Sequence, residues 1–213
     1  VTTGYHRVVQ GDTLYSIAWR YGWDYQALAQ VNHITKPYLL KPGQIIHLNR
    51  RFSERAKRPA TQKVVTRKRT EKKGIKTANA KPAGVVAKRK LSWAWPASGL
   101  LVGRFSRWGE NKGIDIAMKG RDAVRSAADG VVVYAGNGLI GYGNLIIIKH
   151  NATYLSAYAN NRKILVKEQK SVKVGEKIAE IGGNGARKSS LHFEIRKNGK
   201  PVDPLIYLPK IKG

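Results

Sequence analysis

Two short stretches near the C-terminus contain side chains of the types that bind zinc. Residues 111–117 include the carboxylate of Asp115, and residues 190–196 include the imidazole of His192. A catalytic zinc usually has three protein ligands and a water at an open fourth position. Asp115 and His192 are side chains of metal-ligating types, whereas the neutral amide of Asn111 is a poor zinc donor beside an imidazole nitrogen. The chain has no cysteine, so thiolate ligands are excluded.

A third ligand would have to come from elsewhere in the chain. The only other histidine of residues 91–213 is His150, at the end of an apolar run. A histidine in that position more often packs or forms hydrogen bonds at the end of a strand. Its use as a replacement ligand stays open as the less common alternative.

Taken with their surroundings, the two stretches resemble the LytM/lysostaphin-type zinc endopeptidases, which cut peptidoglycan cross-bridges. The similar segments are residues 113–117, 127–136, 141–150, 175–181, 191–194 and 201–208. In that family a zinc-binding His stands at the position of Asn111, with Asp115 and His192 as the other ligands. Catalytic histidines stand at the positions of Asn160 and Ser190.

The resemblance therefore implies that this site has lost one ligand and both catalytic histidines. Loss of one general acid or base typically lowers a rate by ~10²- to 10⁴-fold. We expect a catalytically inactive site with no metal and no cofactor. The groove that holds peptide in active relatives should remain as a partner-binding groove, lined by Asn111, Asp115, Tyr142, Tyr158, Asn160, Ser190 and His192.

Residues 91–213 are predicted to form a mainly antiparallel β domain. Short apolar runs at 130–134, 145–149, 155–158, 177–181 and 192–196 are separated by Gly, Asn and Asp turn signals. Many short strands joined by turns favour an antiparallel sheet or a partly open barrel over βαβ units.

Residues 1–49 resemble a LysM module, and the pattern independently predicts a βααβ unit. Asp12 or Thr13 can cap a first helix, Gly22 suits its left-handed end, and a second helix follows near residues 25–31. LysM modules bind N-acetylglucosamine units, so the resemblance implies a glycan-binding groove. Its residues would be Gly11, Asp12, Thr13, Leu14, Ile34, Thr35, Pro37 and Leu39.

Residues 50–90 are predicted to be a disordered basic linker. The whole chain has a net charge of +27, and this segment alone contains sixteen Lys and Arg against two acidic residues. A stretch so poor in apolar residues cannot offset its chain entropy by burial. Binding to nucleic acid is the competing interpretation, but residues 53–92 lack the aromatic side chains used for base stacking. No nucleic-acid partner is expected.

The complete α+β arrangement, with a LysM module, a basic linker and a degenerate LytM-type domain, resembles the NlpD-like murein hydrolase activators. The resemblance implies binding to peptidoglycan glycan strands and activation of a periplasmic N-acetylmuramoyl-L-alanine amidase during septal wall splitting. It also implies outer-membrane anchoring through a lipid upstream of this chain, the only expected link to a membrane. A wall-anchoring structural protein and a residual zinc endopeptidase remain the alternatives.

Overall fold

The computed structural model describes residues 4–49, 91–118, 122–181 and 190–210 of the 213-residue chain. The predicted linker at 50–90 lies outside these residues. Within the described parts, no helix is both long and apolar enough to cross a membrane.

The N-terminal module, residues 4–49, has the predicted βααβ order. Its elements are β1 (Tyr5–Arg7), α1 (Leu14–Tyr21), α2 (Tyr25–Val31) and β2 (Ile45–His47), with β1 and β2 antiparallel.

Local capping explains where the two helices begin and end. The Thr13 hydroxyl accepts a hydrogen bond from the Ser16 N–H, and the Ser16 hydroxyl accepts one from the Thr13 N–H, which satisfies two N-terminal amides of α1. Gly22 ends the helix with φ 64°, a left-handed conformation that glycine adopts without steric cost. The Asp24 carboxylate then accepts from the N–H groups of Gln26 and Ala27 to start α2.

The C-terminal domain is built from eleven strands in its described part. They are β3 (Leu100–Gly103), β4 (Ile114–Ala117), β5 (Ala123–Arg125), β6 (Gly130–Gly136), β7 (Asn144–Lys149), β8 (Tyr154–Asn161), β9 (Lys163–Ile164), β10 (Ser171–Val172), β11 (Lys177–Glu180), β12 (Ser190–Lys197) and β13 (Lys200–Val202). A 3-10 helix, Pro204–Ile206, follows.

The strands form one large and one small antiparallel sheet. The large sheet has the order β10-β6-β7-β8-β12-β4-β3, with β13 paired to β12, and the small sheet has the order β5-β11-β9. The predicted α+β class with a mainly antiparallel C-terminal domain is confirmed. Strand β8 continues to Asn161 because the Asn161 side chain donates to the Asn144 carbonyl and extends its pairing with β7.

The central strands of the large sheet are buried on both faces. One face packs against the core between the two sheets, and the N-terminal module covers the other face. On β7, Ile146 and Ile148 face the core between the sheets, whereas Leu145 and Ile147 face the core shared with α1. A half-solvated antiparallel strand would show alternating polar residues, and the continuous apolar run of β7 reflects cover on both sides.

Polar contacts and close backbone packing hold the N-terminal module on the sheet. The Arg20 guanidinium on α1 donates to the Gly138 carbonyl at 2.8 Å. The β12–β13 turn lies so close to the link between α1 and α2 that a Cβ on Gly199 would collide with backbone atoms of Trp23 and Asp24. This turn therefore requires glycine both for its packing and for its φ of 75°.

Candidate functional site

Strand pairing brings Asp115 and His192 together at the centre of the site. His192 on β12 lies opposite Asp115 on β4 and opposite Ala159 on β8. Its Nδ1 is 2.8 Å from the Asp115 Oδ1. The two side chains that the sequence singled out as zinc-ligand types are thus in direct contact through a hydrogen bond.

Asn111 acts here as a hydrogen-bonding residue. Its Nδ2 donates to the other carboxylate oxygen of Asp115 at 2.7 Å, and its Oδ1 accepts from the Gly113 N–H at 3.0 Å. The amide oxygen of Asn111 is therefore hydrogen-bonded to the backbone, and its amide nitrogen is hydrogen-bonded to the Asp115 Oδ2. Both carboxylate oxygens of Asp115 lie within hydrogen-bonding distance of protein nitrogens.

Glu194 completes the site, and the sequence analysis did not identify it. Its Oε1 lies 3.3 Å from His192 Nε2 and accepts from the Tyr142 hydroxyl at 2.8 Å. Its Oε2 accepts from the Arg196 guanidinium at 3.2 Å. The residue is only 1% exposed. Its signal in the sequence is the period-2 spacing of His192, Glu194 and Arg196, which places three ionisable side chains on one face of a strand.

The two carboxylates beside His192 favour the protonated form of its imidazole. Burial opposes protonation of His192, but the hydrogen bonds and charges of Glu194 and Asp115 outweigh it and raise the pKa of His192. Burial likewise opposes ionisation of Glu194, but His192, Arg196 and Tyr142 lower its pKa. Burial and the Glu194 charge raise the pKa of Tyr142 to about 12, so its hydroxyl stays a donor.

These residues do not fit a zinc ion. A ligating histidine must be neutral and must offer a nitrogen lone pair to the metal, whereas both nitrogens of His192 lie against carboxylate oxygens. No cluster of three or more His, Cys, Asp and Glu able to hold a metal occurs among the described residues. The imidazole of His192 lies between the carboxylates of Asp115 and Glu194.

An open cleft of about 260 Å³ lies over this network. It is lined by Glu110, Lys112, Asp115, Gly141, Tyr142, Ala159, Asn160, His192 and Glu194. Four of the seven predicted groove residues line it, namely Asp115, Tyr142, Asn160 and His192. Asn111 supports it through its bond to Asp115. Ser190 begins β12 opposite Ala117 and is not among the lining residues.

The expectation that Tyr158 lines the groove is wrong. Its side chain is 0% exposed and packs in the core against Phe193, with ring centroids 5.3 Å apart. Its hydroxyl accepts from the Ala127 N–H at 2.8 Å. Ala159 lines the cleft, and adjacent residues of a regular strand point to opposite faces, so Tyr158 points away from it. Asn160 also lines the cleft, but its φ of 62° departs from regular strand geometry.

His150 takes no part in the site. Its Nδ1 lies 2.8 Å from the Asp129 carbonyl and its Nε2 lies 2.7 Å from the Ser156 hydroxyl. Burial lowers its pKa to about 4, so the ring is neutral at neutral pH. It packs and forms hydrogen bonds at the end of β7, which rules out the alternative of a replacement ligand.

The structure divides the residues predicted to bind glycan into two groups. Gly11, Thr35, Pro37 and Leu39 are exposed, and Ile34 is half-buried. In contrast, Leu14 is completely buried at the start of α1, so its side chain cannot contribute to an open groove. The hydroxyl of Thr13 caps α1, and the carboxylate of Asp12 binds His6 Nε2 at 2.7 Å and the Val9 N–H at 3.0 Å. The side chains of Asp12 and Thr13 are therefore committed within the module.

An N-terminal and a C-terminal part of the chain each match a known family. Residues 6–49 match the LysM domain, and residues 109–204 match peptidase family M23. The chain is 47% identical to the lipoprotein NlpD/LppB homolog of Pseudomonas aeruginosa over 99% of its length and 78% of that protein. It is 40% identical to the murein hydrolase activator NlpD of Salmonella typhimurium and 39% identical to that of Escherichia coli K12. Each of these two matches spans 96% of this chain and 68% of the relative. The chain belongs to the NlpD/LppB family.

Proposed function

We propose that this chain is a non-catalytic, peptidoglycan-binding activator of periplasmic N-acetylmuramoyl-L-alanine amidases, acting in septal wall splitting and daughter-cell separation. The observation that carries the proposal is the His192 network. A hydrolase of the M23 type needs an open metal position, and here the side chains of Asn111, Asp115, His192 and Glu194 are within hydrogen-bonding distance of one another at the corresponding site. The cleft above it remains open.

The relatives support the same function. Those from Salmonella and Escherichia are named murein hydrolase activators, and the one from Pseudomonas is named a lipoprotein. The LysM match supports binding to the glycan strands of peptidoglycan. The proposed location is the periplasm, with anchoring to the outer membrane as a lipoprotein. The basic segment at 50–90 fits a tether near anionic wall polymers or lipid head groups.

Activation requires that the cleft prefer one state of the amidase. A partner that binds both states of an enzyme equally well does not change the equilibrium between them. The cleft must therefore bind the open, active state of the amidase more tightly than the autoinhibited state. Concave surfaces with a few polar groups are the usual binding sites of proteins. The fixed donors and acceptors of Tyr142, Asp115 and Glu194 give this cleft such groups.

A soluble substrate separates activation from wall anchoring. We expect this chain to raise the rate at which a cognate periplasmic amidase cleaves soluble N-acetylmuramoyl-peptide fragments, because the cleft acts on the enzyme itself. The rate is measured by chromatography of the released peptide, with the amidase alone as control. An unchanged rate on soluble fragments, with normal binding of this chain to sacculi, would favour the wall-anchoring role instead.

A further inference from the structure

A second cavity of about 490 Å³ lies between the N-terminal module and the C-terminal domain. Its lining residues come from both parts of the chain: Trp19, Arg20, Gly22, Lys112, Leu139, Ile140, Tyr142, Arg196 and Pro201. Its size is within the range of ~300–1,000 Å³ that is typical of ligand sites. The cavity exists because α1 is docked on the sheet, since Trp19, Arg20 and Gly22 form one of its walls.

The second cavity adjoins the cleft over His192. Lys112 and Tyr142 line both spaces. Tyr142 also links lining residues of the two spaces through hydrogen bonds. Its hydroxyl donates to Glu194, which lines the cleft, and the other carboxylate oxygen of Glu194 accepts from Arg196, which lines the second cavity. A segment that lies in the cleft can therefore extend past Tyr142 into the space between the two modules.

The walls of the second cavity are apolar and carry unpaired positive charge. Leu139, Ile140 and Pro201 supply apolar surface, and the Ile140 side chain is 98% exposed. None of the lining residues is acidic. Arg196 is neutralised by Glu194. Arg20 donates to the Gly138 carbonyl and Lys112 to the Gly109 carbonyl, but neither forms a salt bridge with any residue in the described parts of the chain.

A buried donor also faces this region. Trp19 is 3% exposed, and its Nε1–H lies beside the Tyr142 hydroxyl, whose pKa it lowers. Trp19 lines the second cavity, and Tyr142 lines both cavities.

We propose that the LysM module forms the second wall of the partner-binding cleft, and that the partner segment carries apolar side chains next to an acidic one. The apolar side chains would pack on Ile140 and Pro201, and the carboxylate would meet Arg20 and Lys112. This proposal rests on the proposed function, because the partner segment belongs to the amidase. It adds that the LysM module contacts the enzyme directly, in addition to the wall.

A peptide stem of peptidoglycan is the competing occupant of this cavity. Such stems also carry carboxylates, so Arg20 and Lys112 alone would accept either ligand. They lack large apolar side chains, however, and nothing in them would cover the exposed Ile140 or the wall formed by Leu139 and Pro201. The combination of apolar surface and positive charge favours a protein segment.

The test uses two substitutions in the full chain, Arg20→Glu and Ile140→Asp, and measures binding of the cognate amidase to the immobilised protein. We expect each to weaken binding by roughly tenfold or more, equivalent to about 1.4 kcal/mol. Arg20→Glu should also reduce the dependence of the association rate on salt. Matched controls are Arg7→Glu and Ile206→Asp, which change exposed residues outside both cavities. Surface substitutions of this kind should alter affinity by no more than about twofold.

The outcomes separate this inference from the proposed function. If the unaltered chain binds amidase and both cavity variants bind it equally well, the second wall is wrong while activation through the first cleft stands. If the unaltered chain binds no amidase, the proposed function fails with it. If the variants lose binding to sacculi but keep binding to amidase, a peptide stem occupies the cavity and this proposal is overturned. The Ile140 side chain is 98% exposed, so its replacement should not change the stability of the fold. Thermal melts of all variants check that each remains folded.

Discussion

Replacement of Arg196 by alanine is expected to lower the free energy of unfolding by about 3–5 kcal/mol, the usual cost of leaving one partner of a buried ion pair unpaired. Arg196 is 6% exposed and Glu194 is 1% exposed, so water cannot easily replace the lost guanidinium. The same guanidinium donates to the Trp19 carbonyl at 2.8 Å and lies 3.6 Å from the centre of the Trp19 ring. The substitution therefore also removes a contact that holds the LysM module on the sheet.

Urea unfolding of the variant and of the original chain measures this cost. The matched control is Arg162→Ala, which breaks the exposed ion pair with Glu180 and should change stability little. The double variant Arg196→Ala with Glu194→Leu should recover part of the loss, because it removes the unpaired carboxylate as well. Equal stability of Arg196→Ala and Arg162→Ala would show that the buried network contributes no more than a surface pair.

Replacement of Asn160 by tryptophan is expected to reduce amidase activation by more than about tenfold, the effect of losing a central contact of an interface. Asn160 lies in the lining of the 260 Å³ cleft, and its backbone N–H donates to the Tyr142 carbonyl at 2.9 Å. An indole at this position would fill much of the cleft. The backbone hydrogen bond would remain, so the walls of the cleft should keep their places.

Asn160→Gly is the matched control for this substitution. The native φ of Asn160 is 62°, a conformation that glycine adopts without cost and tryptophan adopts with strain of about 1–2 kcal/mol. The glycine variant leaves the cleft open and should retain most of the activation, measured as the amidase rate on soluble muropeptide fragments. Full activation by the tryptophan variant, with a normal thermal midpoint, would place the partner site outside the cleft.

Local signals predicted the elements and half of the site. The caps at Thr13, Gly22 and Asp24 follow from short-range rules, and so does the run of short strands bounded by turns. Asp115 and His192 were predicted because they stand at the zinc-ligand positions of the LytM/lysostaphin-type endopeptidases that the sequence resembles. The error at Tyr158 arose because a position beside the cleft was treated as part of it, although strand alternation turns that side chain into the core.

The rest of the site depends on contacts between distant parts of the chain. Arg196 and the Trp19 carbonyl are 177 positions apart, and no periodicity or motif links them. Glu194 could have been found from the spacing of charges on β12, but its role depends on Tyr142, which is 52 positions away. The docking of α1 on β7 was visible only indirectly, in an apolar run too continuous for a strand with one face in water.

Release of dye from labelled peptidoglycan sacculi distinguishes an amidase activator from a zinc hydrolase. The arms are this chain alone with and without added zinc, a cognate periplasmic amidase alone, and the two proteins together. We expect release well above that of the amidase alone only in the mixture, and none from this chain alone at any zinc concentration, because Asn111 and His192 both bind Asp115 and leave no open metal position. Release by this chain alone that depends on zinc and stops with a chelator would contradict it.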